Sequence, residues 1–207
     1  MINILTEKLP KAVSICGQEY PINSDFRAAV EFEILIQSDA SPRKKTRGAI
    51  RLFFGGSPPP YSERELVEAA VNFYAGGGND SDDRPKKSRK RIYSFAQDGD
   101  YIAAAFRSQY GIDLLTVPYM HWYEFRALFK GLEESCEIVK IMGYRAADPS
   151  KIKYKPERDR ISRLQEIYKI KSGNARRFLS LADRDAAMRE KVLADIENAK
   201  KGGEING

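Results

Sequence analysis

The sequence predicts a mainly α fold: a short N-terminal β-hairpin, a helical core and a C-terminal helical hairpin. Three observations predict it. Apolar residues recur at helical spacing through most of the 207 residues. One stretch near the N-terminus alternates instead, with Val13, Ile15, Cys16, Tyr20 and Ile22 around Gly17-Gln18. Glycine and proline clusters cut the helical pattern into short pieces.

The elements follow in order. Gly17-Gln18 is expected to turn a hairpin, which must pack on helices because two strands alone are marginal in water. Ser24 or Asp25 then caps a helix whose buried stripe is Phe26, Ala29, Val30 and Ile34, and Pro42 lies past its end. Residues 43–54 combine five basic residues with Ile50, Leu52, Phe53 and Phe54, and this stretch is too short for periodicity to choose between helix and strand. Gly55-Gly-Ser-Pro-Pro-Pro60 is a loop. Ser62 followed by Glu65 has the spacing of a capping box. Leu66, Ala69, Ala70 and Phe73 give the helix after it an apolar face.

Residues 76–91 contain no apolar side chain, and their charge flips from acidic to basic. Such a composition reads as a disordered, charged linker. It divides an N-terminal unit (1–75) from an aromatic-rich helical unit (92–150) that packs with it. In the second unit Asp98-Gly-Asp100 supplies N-cap chemistry for a helix carrying Tyr101, Ile102, Ala105, Phe106 and Tyr110, and Gly111 stops that helix. Pro118 suits the start of a helix bearing Trp122, Phe125, Leu128 and Phe129, which Gly131 ends. A third run carries Ile138, Ile141 and Met142 and stops at Gly143. Residues 151–207 read as a polar, amphipathic helical extension. Its thin apolar stripes are Ile161, Leu164 and Tyr168, then Phe178, Leu181, Met188, Val192 and Ile196.

Several function classes lack the residues they need. His121 is the lone histidine, and Cys16 and Cys136 have no CxxC spacing, so no metal or cofactor site is expected. His121 reads as a structural helix residue, and catalysis is not expected. Asp80, Asp82 and Asp83 open like a calcium loop but lack its glycine and closing glutamate. No apolar run of about eighteen residues is present to cross a membrane. The N-terminus lacks a signal-peptide layout, so the expected compartment is the cytoplasm. The net charge is +6, and residues 151–207 alone carry fifteen Lys or Arg against nine Asp or Glu, which accounts for the whole surplus.

Two binding surfaces remain. Part of the face carrying Trp122, Phe125 and Phe129, together with the stripe Leu181, Met188, Val192 and Ile196, is a candidate partner-binding surface of the helix-in-groove kind. The alternative is a nucleic-acid-binding regulator contacting phosphates through Arg84, Lys86, Lys87, Arg89, Lys90 and Arg91. That reading is disfavoured because three aspartates lie just upstream and no aromatic is interleaved.

Three strings carry a resemblance: Tyr93-Ser-Phe-Ala-Gln-Asp-Gly-Asp-Tyr-Ile, His121-Trp-Tyr-Glu-Phe-Arg-Ala-Leu-Phe-Lys-Gly-Leu and Lys140-Ile-Met-Gly-Tyr-Arg. With Tyr20-Pro-Ile-Asn-Ser-Asp-Phe-Arg and Leu52-Phe-Phe, they resemble a family of siphophage tail-module proteins of the bacteriophage "Gp fifteen" type. Its members are encoded between the major tail protein and the tape measure protein. The resemblance spans most of residues 10–155. It implies a tail assembly chaperone that shields the tape measure protein, with the major tail protein and self-association as further candidate partners. It also implies a protein missing from the mature virion; a minor virion structural protein is the other alternative.

Overall fold

The computed structural model describes residues 3–76 and 91–171. Within them, strands β1 (Ala12–Ile15) and β2 (Gln18–Pro21) are followed by helices α1 (Phe26–Gln37), α2 (Pro42–Phe54) and α3 (Glu63–Ala75). The second stretch holds α4 (Phe95–Tyr110), α5 (Trp122–Lys130), α6 (Glu137–Ala146), a 3₁₀ turn at Pro149–Lys151 and α7 (Lys155–Ile167). The chain is thus mainly helical with one antiparallel hairpin.

The hairpin pairs Ile15 with Gln18 and Val13 with Tyr20, which leaves Cys16-Gly17 as a two-residue loop. Both loop residues have positive φ, 50° and 82°, as a type I′ turn demands. The turn therefore sits one residue earlier than the alternation suggested. Ile15 packs with Ile50, Leu66 and Ala69, so α2 and α3 cover the hairpin's apolar side.

Asp25 caps α1 by accepting the Arg27 N–H at 2.9 Å. The buried side of α1 is Phe26, Ala28, Ala29 and Phe32, while Val30 and Ile34 are only half-buried. The choice left open for residues 43–54 resolves as helix: Pro42 occupies the first turn of α2, where its missing N–H costs nothing. Both halves of the Ser62–Glu65 capping box form, and Gly76 closes α3 in the left-handed conformation.

Three boundaries in the second half differ from the sequence reading. α4 begins at Phe95, not after Asp100, so Asp98 lies inside the helix. α5 begins at Trp122 rather than at Pro118, because the residues before it pair with the chain entering α1. Phe26 N–H donates to the Met120 carbonyl and Trp122 N–H to the Ser24 carbonyl. Gly143 lies within α6, which runs on to Ala146. The apolar run of the C-terminal stretch gives α7, of which only Ile161 is buried. Gly111 does stop α4, with φ 69°.

The core draws on both described stretches. Phe26, Phe32, Phe53 and Phe73 from the first join Phe95, Phe106, Trp122, Phe125 and Ile138 from the second. Phe125 is stacked between Phe26, at 4.9 Å between ring centroids, and Phe106, at 5.0 Å. α1 and α5 are therefore joined by aromatic faces as well as by backbone hydrogen bonds. Among the described residues, no helix is long and apolar enough to cross a membrane.

Candidate functional site

α5 carries two adjacent rows at i,i+4 spacing, Trp122–Arg126–Lys130 and Phe125–Phe129. His121 starts this helix. Its Nδ1 accepts the Tyr123 N–H at 3.0 Å, so the proton sits on Nε2, which donates to the Pro10 carbonyl at 2.8 Å. Burial pushes the His121 pKa below its ordinary value, although the Pro10 contact opposes this. The residue is thus a cap held neutral by its surroundings.

The face of α5 meets the end of α3 and the chain entering α4. Between them lies an open cleft of about 300 Å³, lined by Tyr74, Ala75, Tyr93, Phe95, Trp122, Phe125, Arg126, Phe129 and Lys130. The candidate residues Trp122, Phe125 and Phe129 all line it. They differ in access: Trp122 is 3% exposed and Phe125 2%, so both form the floor, whereas Phe129 is half-buried. The expectation that Trp122 itself stands open is therefore corrected. Its indole is covered by Tyr74, stacked at 5.1 Å, and its Nε1–H donates to the Tyr74 carbonyl at 2.9 Å.

Polar groups position this floor. Arg126 donates to the same Tyr74 carbonyl at 3.1 Å and lies over the Trp122 ring at 5.8 Å. The Tyr74 hydroxyl donates to Glu33, whose carboxyl is pushed above its ordinary value by burial. Burial and the nearby Glu33 push Tyr93 up to about 12 and Tyr74 up as well, so both stay protonated as donors.

Tyr74, Tyr93 and Arg126 were not among the residues singled out by sequence. The signal for Arg126 was present, since it falls four residues after Trp122 and four before Lys130. The two tyrosines carry no such signal, because they flank residues 77–90 and reach the cleft only through the tertiary fold. Leu181, Met188, Val192 and Ile196 lie outside the described residues, as do Arg84, Lys86, Lys87, Arg89 and Lys90. Arg91 is described, and its guanidinium donates to the Gln37 side chain at 2.5 Å.

A second polar constellation is buried behind α4. Arg145 makes a two-pronged pair with Asp98 at 2.6 and 2.9 Å. It also donates to the carbonyls of Ile92, at 3.0 Å, and Tyr168, at 2.6 Å. Asp98 additionally accepts the Ser94 N–H at 2.8 Å. Asp98 is thus a core ion-pair partner rather than the N-cap suggested by Asp98-Gly-Asp100. Every side-chain nitrogen and oxygen of this pair has a partner within the chain, and the site is closed to ligands, with side chains 5% and 3% exposed.

Among the described residues, no group of three or more His, Cys, Asp or Glu side chains is placed to hold a metal ion. No curated protein and no solved structure matches the chain. Residues 5–170 match the family model described as Bacteriophage Gp15 protein, a span covering all the described helices and strands and the whole cleft. The chain belongs to the bacteriophage Gp15 protein family.

Proposed function

We propose that this phage protein is a tail assembly chaperone that binds the tape measure protein and assists tail tube assembly. It acts by binding, not catalysis, in the cytoplasm of the bacterial host, and is absent from the finished virion. The observation that carries this reading is the open aromatic cleft beside α5. A long amphipathic client exposes apolar stripes before assembly, and a cleft walled by rigid aromatics supports capture of such a stripe by helix-in-groove packing. Phe129, half-buried at the cleft wall, is the residue to test. Co-expression of the chain with the tape measure protein is expected to yield a soluble complex, and Phe129→Asp to reduce co-purification at least ~10-fold while leaving the far-UV spectrum intact, since losing an interface aromatic costs about 2 kcal/mol or more. Undiminished co-purification by Phe129→Asp would exclude the cleft as the capture surface. Mass spectrometry of purified particles is expected to find no copies; a stoichiometric band there would instead support a minor structural role.

A further inference from the structure

Floor and rim of the cleft differ in chemistry. The floor is aromatic, while Arg126 and Lys130 stand on the rim one turn apart, about 6 Å along the helix axis. Among the described residues, no carboxylate lies within ion-pair distance of either cation, whereas Arg64, Lys140 and Arg160 each pair with a glutamate on their own helix. Arg126 spends one nitrogen on the Tyr74 carbonyl, and its other N–H groups have no acceptor among the described residues. Its position is fixed by that bond and by the indole beneath it. Glu33, the acid bonded to Tyr74, is also engaged by Gln37 and has a raised pKa through burial. Among the described residues, the rim therefore presents two cations without an ion-pair partner beside an apolar trough.

We propose that the cleft selects acidic amphipathic helices. The partner places apolar side chains against Phe125 and Phe129, and beside them two carboxylates four residues apart that meet Arg126 and Lys130. This rests on the proposed chaperone reading and names the class of client segment it would hold. Rim charges act mainly on encounter and on discrimination between partners, so the preference is expected to weaken with salt.

The test uses two fluorescein-labelled helical peptides of three heptads with identical leucine stripes. One flanks the stripe with glutamates at i,i+4 spacing, and its twin carries lysine at the same positions. Fluorescence anisotropy with the full chain at low salt is expected to show the glutamate peptide binding ~5-fold or more tighter, the scale of two exposed ion pairs. Lys130→Glu, at an exposed position, should erase most of that preference, and Arg126→Gln, which retains a donor for the Tyr74 carbonyl, should reduce it. Equal affinity for the twins, or a preference unmoved by Lys130→Glu, overturns the proposal. So does concentration-dependent self-association of the chain alone that Lys130→Glu abolishes, since the occupant would then be a second copy. Equal affinity together with Phe129-dependent capture of the tape measure protein removes charge selection but leaves the chaperone reading standing. The reverse result, charge-selective peptide binding with no tape measure capture, removes the chaperone reading and keeps the cleft's selectivity.

Discussion

At position 145 an arginine occupies a core site, and what keeps it there is Asp98, 47 residues earlier. Removing one partner leaves the other charge buried and alone. Asp98→Asn is therefore expected to cost about 3–5 kcal/mol in urea unfolding. The double change Asp98→Leu/Arg145→Met should cost clearly less than the sum of the singles, since it removes both charges together. Sequence could not show this, because an Asp-Gly-Asp triplet satisfies the local rule for a cap and nothing local names a partner so far away. Ser62–Glu65 was legible for the converse reason: both halves of the box lie within one turn. His121 is intermediate, since its structural role was readable but its capping bond was not. The fold favours its neutral form, so its contribution is present above the unfolded pKa of about 6.5 and lost as pH falls from there towards the lower folded value. His121→Asn keeps an acceptor for the Tyr123 N–H without titrating. Its stability should fall less than that of the wild type between pH 7 and 5, as measured by urea midpoints at matched ionic strength.

Among the helices, punctuation by glycine was read correctly at Gly111 and Gly131, which end α4 and α5, and wrongly at Gly143. Gly111 adopts φ 69° and ends α4, whereas Gly143 sits inside α6 and Gly99 inside α4. A Cβ at Gly99 or Gly143 would meet no atom within 4 Å. Gly99→Ala and Gly143→Ala are accordingly expected to stabilise by about 0.5–1 kcal/mol each, through helix propensity alone. Gly111→Ala should destabilise by about 1 kcal/mol, because a side chain is disfavoured in that conformation. Thermal melts of the three variants check the opposite signs. The start of α5 was misplaced for a different reason: Pro118 is a permissible first residue, but the Asp25–His121 bridge holds the chain extended up to His121. Tertiary pairing of this kind overrides a local preference and leaves no periodic trace.

Across the molecule, the half-and-half organisation read from the charged stretch at 76–91 coexists with one shared core, in which Phe125 touches rings from both described stretches. The aromatic stripe of α5 was visible both as core and as a candidate open face, yet the cleft's opposite wall was not, because Tyr74 and Tyr93 come from elements brought together only by folding. The two thiols report on how tightly that core is closed. Cys16 is exposed in the hairpin loop, and its hydrogen bond to Glu65 holds its pKa above the ordinary value. Cys136 is buried at the start of α6. A thiol-specific reagent at mildly alkaline pH is expected to modify one cysteine per native chain, at Cys16, and Cys136 only as denaturant opens the core. Mapping the label by peptide mass distinguishes the two. Trp122 adds a reporter of another kind. It is the single indole of the chain, and it forms part of the cleft floor beneath a guanidinium and against a tyrosine ring. Whatever settles on that floor must alter the polarity or the quenching felt by this one fluorophore, so occupancy can be followed by its intrinsic emission in unlabelled protein.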